Sequence, residues 1–488
     1  MGRESDLVKS KLDHLGALRT KAINPYPYKF ERTHTNQEFH QKFEGVQPGE
    51  MLGQRVKICG RVMAKRGFGK LFFLDIRDHS ARVQLMATAD KTPAQVIDLL
   101  GLVDVGDFVG ATGRVHRTAK GELSVFLENV EVLAKSIEPL PEKWSGLQDI
   151  EERHRKRHLD LIMNPEVREL FVKRSKIVSF VRRFLESYGF MEVEIPTLQS
   201  VYGGANARPF ITKSHAWKSD FFLSISPELY LKRLLMGGYD KVYTICKNFR
   251  NEDVDKTHNP EFTMMECYAA YWDYNDLMEL TEKLFESAAL EVNGTTKISF
   301  EGKEIDLKAP WPRIALYDAL KRFAGLDVER LSDADLKRLL AEHQAEVMPF
   351  KRGLAIAELF SKTVEEKLVQ PVFIIDHPKE TTPLCKEKRG NPDLIERFEP
   401  FINGWEVANA YSELNDPVHQ EKIFLEQADQ GVAKGENHPI DMDFVAAMRY
   451  GMPPAAGLGI GIDRLCMLLT GAKTIREIIF FPQMKPLK

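Results

Sequence analysis

KNFRNEDVDKTHNPEFTMMECY (residues 247–268) reads as two strands joined by a polar loop at about 253–260. Period-two alternation places Arg250 and Glu252 on one face, and Phe262, Met264, Glu266 and Tyr268 on one face of the returning strand. Such a wall offers a guanidinium for a phosphate, an aromatic plane for a base, and a carboxylate with a phenol deeper in. The same residues would also make a solvated hairpin laced with salt bridges. Either way the segment is a hairpin, and hairpins on this scale build an antiparallel sheet rather than a parallel βαβ series.

Three further segments follow the same logic. GLGIGIDRLCMLLTG (457–471) is G-x-G-x-G, not the dinucleotide fingerprint. Its glycines strip one face of a strand, so a flat ligand such as adenine can lie on the backbone, although a glycine-lined packing seam has the same pattern. The helix that follows starts near Asp463, which puts Arg464 in a first turn that favours anions. In RFEPFINGWEVANAYSEL (397–414), Asn403-Gly404 is a two-residue hairpin turn with Glu399 and Glu406 on either side of it. Two such acids suit Mg²⁺ beside triphosphate oxygens, and they equally suit surface ion pairs. Asn409, Tyr411 and Glu413 alternate onto one face, and strict alternation puts Glu406 on the other unless a bulge intervenes. In SPELYLKRLL (226–235), Glu228 falls in the first turn of an amphipathic helix, as a helix-end stabiliser or an acceptor for an α-ammonium.

Residues 1–53 read as a helical lead, with Leu7, Leu12, Leu15 and Leu18 at helical spacing and a stop at Asn24-Pro25. From 54 to 136, short alternating segments, Gly-containing turns and one helix near 93–102 predict a closed barrel of the OB type. A linker is expected over 137–160. The remainder, 161–488, reads as an α+β domain: an antiparallel sheet flanked by helices, with a helical insertion at about 310–395. Asn164-Pro165 opens a long helix that runs to Tyr188.

With 28% charged residues and a net charge of −3, global charge neither announces nor excludes a nucleic-acid partner. Five scattered cysteines without a CxxC pair argue against a structural zinc site and for a reducing, cytoplasmic setting. No stretch approaches the ~20 apolar residues of a membrane span.

Together the helix 165–188 running into FMEVEIP (190–196), the hairpin 247–268 and the segment 457–470 resemble the three signature motifs of class II aminoacyl-tRNA synthetases. NPYPYKF, GGANARPF, PELYLKR, HNPEFTMME and SELNDP are similar to class II lysyl-tRNA synthetases over essentially the whole chain. The resemblance implies that lysine attacks the ATP α-phosphate, and that the terminal ribose of tRNA(Lys) then takes the lysyl group. It assigns Arg250 to the α-phosphate and the lysine carboxylate, Glu252 and His258 to ATP, and Phe262 to adenine opposite Arg464. It makes Glu399 and Glu406 ligands of Mg²⁺, with ATP as co-substrate, and Glu228 the α-ammonium acceptor near Gly204. Glu266, Tyr268, Asn409, Tyr411 and Glu413 would line the lysine pocket, Glu413 as the acid that selects a cationic side chain. The long helix would be a homodimer contact.

The barrel resembles the family's anticodon-binding domain. Arg55, Lys57, Arg61, Lys65, Arg66, Lys70, Arg77 and Arg82 stand there against only Asp75 and Asp78. Phe73 would stack a base, or else fill the barrel core, with Gln84 and Arg61 reading base edges. Ala408 and Ala410 stand where many bacterial relatives carry glycine, which predicts extra methyls beside the lysine site. Aspartyl- or asparaginyl-tRNA synthetases, a ligase that lysylates a protein and a paralogue that only binds nucleic acid are the alternatives.

Overall fold

The structure is a computed structural model that describes residues 2–141, 147–433 and 441–487. It divides into two compact units, Met1–Leu147 and Gln148–Lys488.

In the first unit five strands close into a barrel: β1 (Met51–Phe68), β2 (Leu71–Arg77), β3 (Arg82–Thr88), β4 (Phe108–Arg117) and β5 (Leu123–Ala134), in the order β1-β2-β3-β5-β4. Even-numbered residues of β2 face inward, so Phe72, Leu74 and Ile76 pack with the barrel core. Helix α1 (Gly2–Thr20) buries Leu15 and Leu18, and α2 (Ala94–Leu102) buries Val96 and Leu100. The barrel is of the expected OB type.

The second unit is built on a ten-stranded sheet. Its strands are β6 (Met191–Glu192), β7 (Lys241–Phe249), β8 (Glu261–Ala270), β9 (Arg313–Ala315), β10 (Val372–Pro378), β11 (Asn391–Ile402), β12 (Trp405–Glu406), β13 (Ala408–Ser412) and β14 (Ala455–Gly461), with the short strand Glu387–Lys388 at the side of β11. The main path runs β9-β10-β11-β13-β14-β8-β7-β6, antiparallel except for the outermost pairs β9/β10 and β7/β6. Helices α3 (Pro165–Ser187), α5 (Tyr274–Asn293) and α8 (Ile462–Thr470) cover one face. Ile177, Val181 and Leu185 of α3, Leu277 and Leu284 of α5 and Leu465 of α8 meet Met265, Cys267, Leu458 and Ile460 there. Alternation then turns the even residues of β8 and the odd residues of β13 and β14 to the opposite face.

Three expectations need correction. The linker is shorter than 137–160, because the chain from Gln148 belongs to the second unit. Arg157 ties that stretch down, pairing with Asp160 and donating to the carbonyls of Arg476, Ile479 and Phe480. The region 310–395 is not a purely helical insertion, since β9 and β10 are strands of the main sheet and only the part between them, with α6 (Asp333–Glu342) and α7 (Arg352–Thr363), is helical. Ala408 and Ala410 point into the helix-covered core, so their methyls lie on the far side of the sheet from Asn409 and Tyr411.

Candidate functional site

Strand register assembles a floor on the open face of the sheet. Tyr411 pairs with Arg397 on one side and Gly457 on the other, and Gly457 pairs with Tyr268. One row on, Asn409 pairs with Gly459, which pairs with Glu266, and in the third row Gly461 pairs with Met264. The glycines let side chains from neighbouring strands converge above β14. A Cβ at Gly457 would lie 2.2 Å from Glu413 Oε1 and 2.2 Å from Tyr268 Cε1, whereas one at Gly461 would only touch the Arg464 stem at 3.8 Å. The glycine strand therefore carries the acids at one end and the start of α8 at the other.

At the acidic end, α4 (Glu228–Met236) turns Glu228 and Lys232 to the sheet, both buried. Lys232 Nζ lies 2.6 Å from Glu228 Oε1 and in contact with Glu413 Oε2. Tyr411 Oη donates to Glu228 Oε1 at 2.6 Å. Ser226 Oγ and Tyr268 Oη donate to the two oxygens of Glu266, at 3.1 and 3.0 Å. Burial, then the Glu228 charge, pushes the Glu266 carboxyl up to about 8, so it is protonated at neutral pH. Burial also pushes Glu413 up, against the pull of Lys232. Burial works to lower Lys232, but Glu228 and Glu413 outweigh it and keep the ammonium charged.

Glu413 is 0% exposed, and neither of its oxygens has a well-formed hydrogen bond among the described residues. The Lys232 contact with Oε2 is nevertheless an ion pair by distance, so the oxygen left without a partner is Oε1, the one that overhangs Gly457. Gly204, at φ +82°, approaches so closely that a Cβ would lie 2.9 Å from Ser226 Oγ and 3.0 Å from Glu228 Cβ.

At the other end, Arg250 and Glu252 lie in the loop rather than on β7, which ends at Phe249. The Arg250 amide still donates to the Pro260 carbonyl at 2.9 Å, and its guanidinium lies 5.1 Å from the Phe262 ring centroid. Glu252 is exposed. Arg464 donates to the Glu406 carbonyl and, at 3.1 Å, to His258 Nε2, while His258 Nδ1 lies 2.8 Å from Asp255 Oδ2. This fixes the tautomer: Nδ1 carries the proton. Partial burial acts to raise Asp255, but hydrogen bonds from the His258 ring and the Thr257 and His258 amides hold it at about 2.

Glu399 and Glu406 do share a face. Phe401 pairs with Glu406 but Phe398 pairs with Ala410, so one residue, Val407, is extra on the returning side. That bulge brings Glu406 round to the side of Asn409. The turn itself has φ +53° at Asn403 and +76° at Gly404, the left-handed pair of a tight hairpin. Arg397 donates to both Glu399 and Asn409, the latter at 3.1 Å. Enclosure pushes the Glu406 carboxyl up, Glu399 adds to this, and Arg464, Arg397 and Arg250 oppose it. Burial likewise raises Glu365 to about 7, with a Ser361 hydrogen bond opposing and Glu399 and Glu406 adding to it. Side-by-side acids under their own repulsion fit a divalent cation, although no group of three or more metal-ligating side chains exists among the described residues.

Lys232 and Glu365 are the residues that sequence reasoning missed. Lys232 had a legible signal, since it falls on the stripe of α4 that buries Leu229 and Leu235.

On the barrel, Phe72 takes the core and Phe73 faces out, half-buried, between Arg66 and Met86 in register. Gln84 is on the same outer face, one row on, and accepts from Ser124 Oγ at 3.0 Å. Arg61 lies a row further, donating to the Gly106 carbonyl at 2.9 Å and stacking 4.2 Å from the Phe108 centroid. The basic face is partly neutralised: Arg66 pairs with Asp75 and Arg55 with Glu128.

No helix among the described residues is long and apolar enough to cross a membrane. Residues 149–485 match the family described as tRNA synthetases class II (D, K and N), and residues 56–140 match the OB-fold nucleic acid binding domain. A lysine–tRNA ligase of Pelotomaculum thermopropionicum is 48% identical over 99% of this chain and 96% of its own length. One from Carboxydothermus hydrogenoformans is 48% identical over 99% and 98%, and one from Rhizobium meliloti 47% over 99% and 97%. With both halves of the chain matched and such relatives spanning it end to end, the chain belongs to the class II tRNA synthetases of the D, K and N group, among the lysine–tRNA ligases.

Proposed function

We propose that this chain attaches L-lysine to tRNA(Lys) at the expense of ATP, through a lysyl-adenylate, releasing diphosphate and AMP. The observation that carries the reading is Glu413: a fully buried carboxylate whose Oε1 has no hydrogen-bond donor among the described residues and overhangs the glycine floor. A buried acceptor of this kind calls for a cationic donor from the substrate.

The substrate's ε-ammonium binds Glu413 Oε1 beside Tyr268, with Asn409, Tyr411 and protonated Glu266 lining the space. Glu228 and the Gly204 backbone take the α-ammonium. Arg250 takes the substrate carboxylate and the α-phosphate, which holds nucleophile and phosphorus together. Adenine lies between Phe262 and Arg464, and Glu252 and His258 contact the nucleotide. A carboxylate oxygen of lysine attacks the α-phosphorus, and the bond to the β-phosphate oxygen breaks to release diphosphate. A hydroxyl of the terminal tRNA ribose then attacks the lysyl carbonyl and AMP leaves. Positioning and charge neutralisation supply the rate.

Glu399 and Glu406 would hold Mg²⁺, which supplies charge neutralisation to the triphosphate oxygens when bound. Arg397 orients Glu399 and Asn409 together. Phe73, with Gln84 and Arg61 on the same outer face, is the proposed anticodon reader. A cytoplasmic homodimer is proposed from five free cysteines and from apolar Val172 of α3 and Met191 of β6, exposed at 51% and 43%. Lysine-dependent exchange of labelled pyrophosphate into ATP tests the activity. Exchange with lysine is expected, and exchange with aspartate alone, or with no amino acid, overturns it.

A further inference from the structure

Lys232 has no place in the mechanism above, yet its side chain is 0% exposed at the heart of the acidic end. Its ammonium lies 2.6 Å from Glu228 Oε1, touches Glu413 Oε2 and lies 5.5 Å from the Tyr411 ring centroid. The two carboxylates it joins come from distant parts of the chain, and they are the two assigned to the two ammonium groups of the substrate. Lys232 reaches one of them along its own helix, at i,i+4, and the other across the sheet.

We propose that Lys232 is a positioning residue of the amino-acid pocket: a resident cation that grips Oε2 of Glu413 and leaves Oε1 for the side-chain ammonium of the substrate. The inference rests on the proposed lysine activation and deepens it. The geometry has two parts. Glu413 has one oxygen tied to Lys232 and one free oxygen above Gly457, where no side chain could fit. Glu228, held by the same ammonium and by Tyr411 Oη, is thereby fixed relative to Glu413.

Charge gives the second argument. Glu228, Glu413 and Glu266 share one enclosed space, and carboxyls so placed suppress each other's ionisation. One resident ammonium opposes that suppression at Glu413, and one cation among three carboxyls leaves the pocket receptive to a further cation.

The test is Lys232→Met, close in length and uncharged, in lysine-dependent pyrophosphate exchange, with ATP affinity and melting temperature as checks on the fold. The KM for lysine is expected to rise about 100-fold with ATP affinity within about threefold of wild type. The pH profile separates positioning from mere support. The titratable groups around Lys232 and its two acids are Glu228, Glu413, Glu266, Tyr268, Tyr411 and Cys385. Without the ammonium the Glu413 carboxyl is harder to ionise, so the variant's lysine KM depends more steeply on pH than that of the wild type, falling as pH rises. Should Lys232→Met not fold, Lys232→Met/Glu413→Gln removes cation and anion together and leaves no unpaired charge at Glu413. Its lysine KM should lie within about tenfold of Glu413→Gln alone, because the part Lys232 exerts through Glu413 is already lost and only its hold on Glu228 remains. A folded Lys232→Met protein with wild-type lysine KM and the wild-type pH profile overturns the inference, as does a further loss of more than about tenfold in the double variant. A wild type that fails to exchange with lysine refutes the proposed function itself. A wild type active with lysine beside an equally active Lys232→Met protein refutes only the role of Lys232.

Discussion

Gly457→Ala places one methyl where two of the most buried groups of the site meet. The new carbon would lie 2.2 Å from Glu413 Oε1, 2.2 Å from Tyr268 Cε1 and 2.6 Å from Tyr268 Cδ1. Ordinary contact begins near about 3.5 Å, so each group must retreat by more than about 1 Å. Neither has room: Glu413 is 0% and Tyr268 3% exposed, the first touching Lys232 and the second bonded to Glu266. Overpacking of this kind costs the fold about 1–3 kcal/mol. A shift of that size also breaks the charge-assisted contact with the substrate ammonium, worth about 1.5–3 kcal/mol, or roughly 10- to 100-fold in lysine KM. The proposed ATP site is at the other end of the strand, so ATP affinity should hold. Gly461→Ala is the internal control, because its methyl meets the Arg464 stem at an ordinary 3.8 Å. Lysine KM, ATP affinity by calorimetry and melting temperature are measured for both variants. A stably folded Gly457→Ala protein with wild-type lysine KM would refute the placement of the side-chain ammonium above this glycine.

Glu413→Gln keeps the shape and removes the charge, so lysine-dependent exchange should fall at least about 100-fold with ATP binding retained, and intact lysine activation would show that the ε-ammonium partner lies elsewhere. Glu266→Gln mimics an acid that is already protonated, so lysine KM at neutral pH should change by less than about threefold. For the same residue, a folded-state pKa of about 8, above the unfolded value, means that the native state holds the extra proton between roughly pH 4.5 and 8. Stability from this group is therefore complete below about pH 4.5 and is lost as pH rises towards 8, so Glu266→Gln should flatten the fall in melting temperature over that window, and identical slopes refute the assignment. Phe73→Ala should weaken tRNA charging about tenfold through KM and leave lysine-dependent pyrophosphate exchange unchanged; an equal loss in both assays would mean that Phe73 serves the fold instead.

What was legible in the sequence followed from short-range periodicity. The β7–β8 hairpin, the glycine strand, the Asn403-Gly404 turn and the barrel strands all carry their pattern within about ten residues, where pleat and turn chemistry dictate the outcome. The bulge at Val407 left no such trace, because it is defined by the partner strand and not by local composition. Alternation runs on past Phe249 and predicts Arg250 on the strand, although its ladder bond to Pro260 belongs to the loop. Ala408 and Ala410 neighbour Asn409 in sequence, but alternation sends them to the other face of the sheet. Lys232 is legible only through its place on the helix stripe, where a lysine between Leu229 and Leu235 on a buried face requires a counter-charge. Glu365 reaches the acids of the hairpin only through the chain fold after α7, which no local pattern announces.

Lys232 also bears on the choice of amino acid within the group. A pocket for aspartate would need a cation for the side-chain carboxylate, and Lys232 supplies a buried ammonium close to where one would be sought. Its geometry rules that use out. The ammonium is bracketed by Glu228 and Glu413, and a third carboxylate drawn to it would face both at short range. In an enclosed site that repulsion exceeds what one shared ammonium returns, so an aspartate side chain would have to protonate to enter. A cationic side chain meets the reverse situation: Glu413 Oε1 stands buried without a donor among the described residues, and Glu266, neutral at physiological pH, adds no competing anion. The presence of a lysine in the pocket therefore strengthens the case for lysine as substrate, since the resident cation pulls Glu413 towards its ionised form against burial and the neighbouring acids.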